Sequence, residues 1–166
     1  SVSQSIGGAI SSVQAPARLM PSVTPELRGS GVTWYSCVYV RASSPETAIR
    51  AWVGSDTPSP NSAIAIGWGA TKNTTQASVA NQLTPPSGVT FSSPTSYSGA
   101  PTGDSYAAND YRALWIRYTL NPGSTLIPLD VFSIRIEGTP SAPSSVSPPV
   151  LSGTVQRGQT LAATVG

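Results

Sequence analysis

The chain contains no histidine, one cysteine and one lysine, and only 10% of its residues are charged. Without histidine there is no Ser-His-Asp or Cys-His nucleophile pair and no imidazole metal ligand. The single cysteine, Cys37, excludes an intrachain disulfide. It lies inside the apolar run Trp34–Val40, where a thiol is expected to be buried and inert. The seven acidic residues are dispersed. Asp104 and Asp110, the closest loop pair, could in principle stand the roughly 5–10 Å apart that glycoside hydrolysis needs. Loop caps and turns explain them better. The carboxylate spacing of a calcium loop is absent. Gly67-Trp-Gly69 and Gly99-Ala-Pro-Thr-Gly103 are turn glycines, and neither continues into a phosphate or dinucleotide fingerprint. No catalytic residue, metal or cofactor is therefore expected, and the chain reads as a non-enzyme. The eight arginines and Lys72 form no run or stripe, so nothing marks a nucleic-acid or anionic-membrane surface. No stretch approaches the ~20 apolar residues of a membrane span. The start, Ser1–Gly8, lacks the basic and apolar regions of a secretory leader.

What is present is material for one β-rich core. Hydrophobic residues make up 39% of the 166, with four Trp and six Tyr, among 15 Gly and 16 Pro. Many β-branched residues between frequent turn formers point to an all-β domain with long polar loops. The scarcity of charge, and of lysine above all, fits a surface largely covered by neighbours, since interfaces favour arginine and aromatics over lysine and glutamate.

Val32–Arg41 is the clearest strand. Trp34, Ser36, Val38 and Val40 share one face, and Tyr35, Cys37 and Tyr39 the other. Both faces are largely apolar, so it is expected to be a central strand buried on both sides. Further strands are expected at Thr47–Gly54, Ser62–Trp68, Tyr111–Thr119 and Asp130–Gly138. In the last of these Phe132, Ile134 and Ile136 should face in. Val89–Phe91 is a candidate short strand, and Gln76–Leu83 the one candidate helical turn, too short to stand alone. Residues 84–110, rich in Pro, Ser, Gly and Thr, form a loop long enough to be functional or docked on a partner. The expected fold is an all-β sandwich, immunoglobulin-like or jelly-roll, over 32–138.

Residues 1–31 have no steady period and read as an extended arm. Ile6, Ile10, Val13, Leu19 and Met20 are spaced along it as candidate partner contacts. A first edge strand of the chain's own domain is the equal alternative. The four tryptophans read as core. Trp68 is the exception, placed at a strand end between two glycines where its ring could stack on a sugar. Residues 139–149 carry four prolines and form a semi-rigid linker. Residues 150–166 read as two short strands, Val150–Val155 and Thr160–Val165, joined by a Gln-Arg-Gly-Gln turn. Such a hairpin is marginal alone.

Ser152-Gly-Thr154, Gly158-Gln-Thr-Leu161 and the closing Gly166 resemble the opening strands of bacterial and phage immunoglobulin-like modules. The body of the chain resembles a group of tailed-phage virion proteins. The landmarks are Ile6-Gly-Gly-Ala-Ile10, Trp34-Tyr-Ser-Cys-Val-Tyr-Val-Arg41, Ile64-Ala-Ile-Gly67, Pro85-Pro-Ser-Gly-Val-Thr-Phe91, Tyr111-Arg-Ala-Leu-Trp-Ile-Arg117 and Ile134-Arg-Ile-Glu-Gly138. The resemblance implies a virion location and a structural role in capsid decoration or in fibre, neck or baseplate attachment. Its partners would be other virion proteins and copies of the same chain, with a host-surface glycan met through the outward module. The competing expectation is a carbohydrate-binding β-sandwich, which requires Trp68 or another tryptophan to be exposed.

Overall fold

Alternation along each strand sets which residues meet. We describe a computed structural model covering residues 5–10, 19–54, 62–101, 104–123, 132–140, 150–152 and 162–164. In chain order the elements are α1 (Pro25–Ser30), β1 (Val32–Arg41), β2 (Glu46–Val53), β3 (Ser62–Trp68), β4 (Tyr111–Leu120), β5 (Ile134–Pro140), β6 (Val150–Ser152) and β7 (Ala162–Thr164). Two antiparallel sheets, β1-β4-β3 and β2-β5, form an all-β sandwich, and β6 pairs with β7 as a separate hairpin.

The core lies between the two sheets. Trp34 of β1, Ile64 and Ile66 of β3, and Leu114, Ile116 and Tyr118 of β4 meet Ala51 and Val53 of β2, with Phe132 and Ile134 packed alongside. The opposite face of the three-stranded sheet carries Cys37, Ala113 and Trp115, which Val79, Val89 and Phe91 cover from the loops. On the outer side of β2, Trp52 packs edge-on against Tyr97, with ring centroids 5.7 Å apart. Loops thus supply the outer cover that further sheets or helices supply in larger domains.

Several expectations are corrected. The doubly apolar β1 is not central; β4 is, and residues 113–116 of it are buried on both faces. β1 is apolar on both sides because loops cover the face turned away from the core. Gln76–Leu83 has no helix, since its backbone groups bond to the arm and to β1 instead. Val89–Phe91 is not a strand; one bridge pairs Ser92 with Ile66. Ile136, expected to face in, pairs with Ala51 but is 43% exposed and does not join the core cluster. The ladder with β2 extends to Pro140, so the sandwich closes two residues later than Gly138. The linker residues 141–149 and the turn 153–161 lie outside the described residues.

The supposed arm contains a helix. Thr24 caps α1 by accepting from the Leu27 amide, Pro25 occupies the first turn, and Gly31 ends it at φ 75°. Proline at the start and glycine just past the end are the expected asymmetry of a helix.

Candidate functional site

The arm is tied to its own domain along the outer edge of β1. The Cys37 amide donates to the Ser5 carbonyl (2.7 Å) and the Tyr35 amide to the Gln82 carbonyl (2.7 Å). Ile6 and Gly8 then bond to Val79 and Gln76. Gly7 and Gly8 take φ near +87° and +88°, and a Cβ on Gly7 would stand 2.9 Å from the Ala77 carbonyl oxygen, so glycine is required there. The Tyr39 hydroxyl donates to the Gly8 carbonyl (2.8 Å) and accepts from the Gln76 amide (2.9 Å). Further along, Gln82 Nε2 donates to the Leu19 carbonyl (2.9 Å) and to Ser36 Oγ (2.7 Å), and Ser36 Oγ donates to the same carbonyl (2.8 Å). Ser36 and Gln82 are both buried, and the three groups satisfy one another as buried polar groups must.

This placement sorts the candidate partner contacts. Met20 is 9% exposed and belongs to the chain's own core, so it is not available to a partner; Leu19 packs against that core as well. Ile6 is half-buried against the 76–79 segment. Ile10 is exposed at 43%. Val13 lies outside the described residues. Val23, another of the spaced apolar residues of the arm, is exposed at 38%, and Leu83, which sequence reasoning missed, at 59%; both sit on segments flanking the Ser36–Gln82 lock. The one signal for that lock was Ser36, a polar residue in the middle of an apolar face.

Trp68 does not present an open ring. It is half-buried against Leu114-side core residues and against the cluster of Ala42, Ile49 and Tyr106. The Arg112 guanidinium lies 5.8 Å from its ring centroid. Arg112 is itself held by the Gly69 carbonyl (2.6 Å) and by an ion pair with Asp104. Trp34, Trp52 and Trp115 are buried, so none of the four tryptophans is an exposed platform.

Asp104 and Asp110 stand in one polar clamp that joins the 69–74 and 104–111 loops. Asp110 accepts from Lys72 Nζ (2.7 Å), Asn73 Nδ2 (2.7 Å) and the Ala107 amide (2.9 Å). Those donors, Lys72 first, hold its carboxyl down to about 2. Lys72 also donates to the Ser105 carbonyl (2.7 Å) and lies 5.5 Å from the Tyr106 ring centroid. Both carboxylates are engaged by cations from within the fold, Asp104 by Arg112 and Asp110 by Lys72. Cys37 is buried, and burial pushes its thiol up to about 12.

Among the described residues no three metal-capable side chains come together, and no helix is long and apolar enough to cross a membrane. A surface depression of 310 Å³ is lined by Arg41, Ala42, Ser43 and Asn109. Arg41 donates to Asn109 across it. Comparison with known protein families, with curated proteins and with solved structures finds no match.

Proposed function

We propose that this chain is a non-enzymatic structural protein of a tailed-phage virion. It docks on capsid or tail through the surface that carries the arm, and it presents the C-terminal hairpin outward as the start of an immunoglobulin-like module. The observation that carries the reading is the exposure of Ile10, Val23 and Leu83 on segments locked to the edge of β1. Large apolar side chains held outward on well-anchored segments match the pattern of subunit contacts. A chain with only 10% charged residues and one lysine supports it, as does the pairing of β6 with β7. Copies of the chain would neighbour one another in a symmetric array.

The test is incorporation into particles of the phage that encodes the chain. Ile10→Asp combined with Leu83→Asp changes exposed residues alone and leaves the melting temperature unchanged. Particles assembled with this variant should contain less than about a tenth of the normal amount of the chain by quantitative mass spectrometry, since hot-spot losses of about 2 kcal/mol or more are ordinary at such contacts. Normal occupancy would remove the docking role of this surface, and absence of the wild-type chain from purified particles would remove the virion reading.

A further inference from the structure

The four outer edges of the two sheets are treated differently. Ser5 and Gln82 take the β1 edge. Ser92 takes the β3 edge, exchanging both bonds with Ile66 (2.8 and 2.9 Å). The β2 edge is taken by the Pro94, Asp104 and Tyr106 carbonyls, which accept from Val53, Ile49 and Glu46. Along β5, no described residue bonds to the outer edge. Uncovered edges are templates for pairing, and proteins that avoid pairing blunt them.

The register shows which groups β5 offers. The Gly54 amide donates to the Ser133 carbonyl (2.8 Å), and the ladder continues through Trp52↔Arg135 and Arg50↔Glu137. Antiparallel pairs alternate between bonded and non-bonded. Ser133, Arg135 and Glu137 therefore turn their backbone groups towards β2. Ile134, Ile136 and Gly138 turn theirs outward. Proline does not interrupt this edge until Pro140, and Ile136 is 43% exposed.

We propose that a second copy of the chain pairs along this edge, β5 against β5, antiparallel about a two-fold axis at Ile136. That register is the self-complementary one. Ile136 faces Ile136 of the other copy, Ile134 faces Gly138, and Arg135 faces Glu137 twice over. The outward backbone groups fall in bonded pairs, while the Arg–Glu pairs fall at non-bonded positions, where side chains stand closest. A one-residue slip would set outward backbone groups against inward ones, and a two-residue slip would put Arg135 against Arg135 or Glu137 against Glu137. The result is a continuous β2-β5-β5-β2 sheet with the exposed isoleucines covered. The inference deepens the self-association of the proposed reading and does not depend on a virion location.

The experiment uses the full chain. Ile136→Cys places two thiols across a bonded pair, where Cα atoms stand about 5.5 Å apart, within disulfide reach. Mild oxidation should give a covalent dimer on a non-reducing gel, with the buried Cys37 silent in the wild type and Leu83→Cys giving none. Arg135→Glu and Glu137→Arg should each weaken the dimer about fivefold to tenfold in sedimentation equilibrium, since like charges directly opposite repel. The double reversal should restore it. Ile136→Pro removes an outward amide without breaking a ladder bond to β2, should leave the melting temperature near wild type, and should abolish the dimer. A dimer that neither cross-links through Ile136→Cys nor responds to the charge reversals would place self-association on another surface and overturn this edge alone. A wild-type chain that stays monomeric at about 100 µM, above the micromolar Kd that ordinary interfaces reach, would overturn both.

Discussion

Asp110 shows how a single carboxylate can be both legible and misleading. Its position in a polar loop marks it as a cap, yet three donors from two loops converge on it: Lys72, Asn73 and the Ala107 amide. They hold its carboxyl at about 2 in the folded chain, against ~3.9 when unfolded. The sign follows directly. A depressed carboxyl stabilises the fold fully above about pH 4, and that stabilisation is lost as pH falls from there towards 2. Asp110→Asn should therefore lower the denaturation midpoint at neutral pH. The gap between variant and wild type should close as the pH is lowered to about 2. A gap that stays constant across that range would mean the charge does not matter. Trp68 and Met20 make the complementary point at the same scale. A tryptophan between glycines and a methionine in an aperiodic stretch both look available for contact. The structure gives the first an arginine on its ring and the second a place in the core. Neither partner is near in sequence, so nothing local could have revealed it.

At the level of elements, β1 and β3 match the expected bounds residue for residue, and β2, β4 and β5 differ at their ends. Side chains of a strand alternate between its two faces, so which residues share a face could be read locally even in β1 and β4, where both faces are apolar. α1 was legible too, in Thr24-Pro-Glu-Leu-Arg-Gly-Ser-Gly31, but its single turn and a half was masked by the aperiodic residues around it. Gln76–Leu83 failed for the opposite reason. Its short helical pattern lost to backbone bonds with the arm and β1. The lock that holds this segment makes a prediction. Gln82→Ala removes donors to the Leu19 carbonyl and Ser36 Oγ and should cost about 1–3 kcal/mol in urea unfolding, the range for disrupting buried hydrogen bonds. Amide exchange at Tyr35 and Cys37, whose amides the overlying segments hold, should speed up more than exchange in β4. Equal acceleration throughout would mean a global rather than a local loosening.

The whole molecule is organised by how its loops return to the sheets. Residues 84–101 have the composition of a mobile connection, yet Ser92, Pro94, Tyr97 and Ala100 all bond back to β2 or β3. Arg50 adds a cation–π contact to Tyr97, 4.8 Å from its ring centroid. The folded chain should accordingly resist cleavage in this loop by a broad-specificity protease. Opening there requires breaking backbone bonds to two strands, so any nicking should track global unfolding. Rapid cutting between residues 85 and 100 under native conditions would contradict the bonded arrangement. The β5 edge belongs to the same picture: among the described residues the other three edges are bonded from within the chain, and β5 is the edge on which the proposed pairing of two copies rests.

The amino-acid sequence by itself determined the class of fold, the strands, which side chains share a face, and the absence of histidine chemistry. These follow from composition and from alternation over a few residues. Only the tertiary structure decided the strand order β1-β4-β3 and β2-β5, the central place of β4, the covered edges and the engaged carboxylates. Each of those depends on a bond between distant residues, such as Ser5 with Cys37, Glu46 with Tyr106, or Lys72 with Asp110. Backbone amides and carbonyls are the same in every residue but proline. The sequence therefore records where a strand can form, and the geometry of the assembled chain selects what lies beside it.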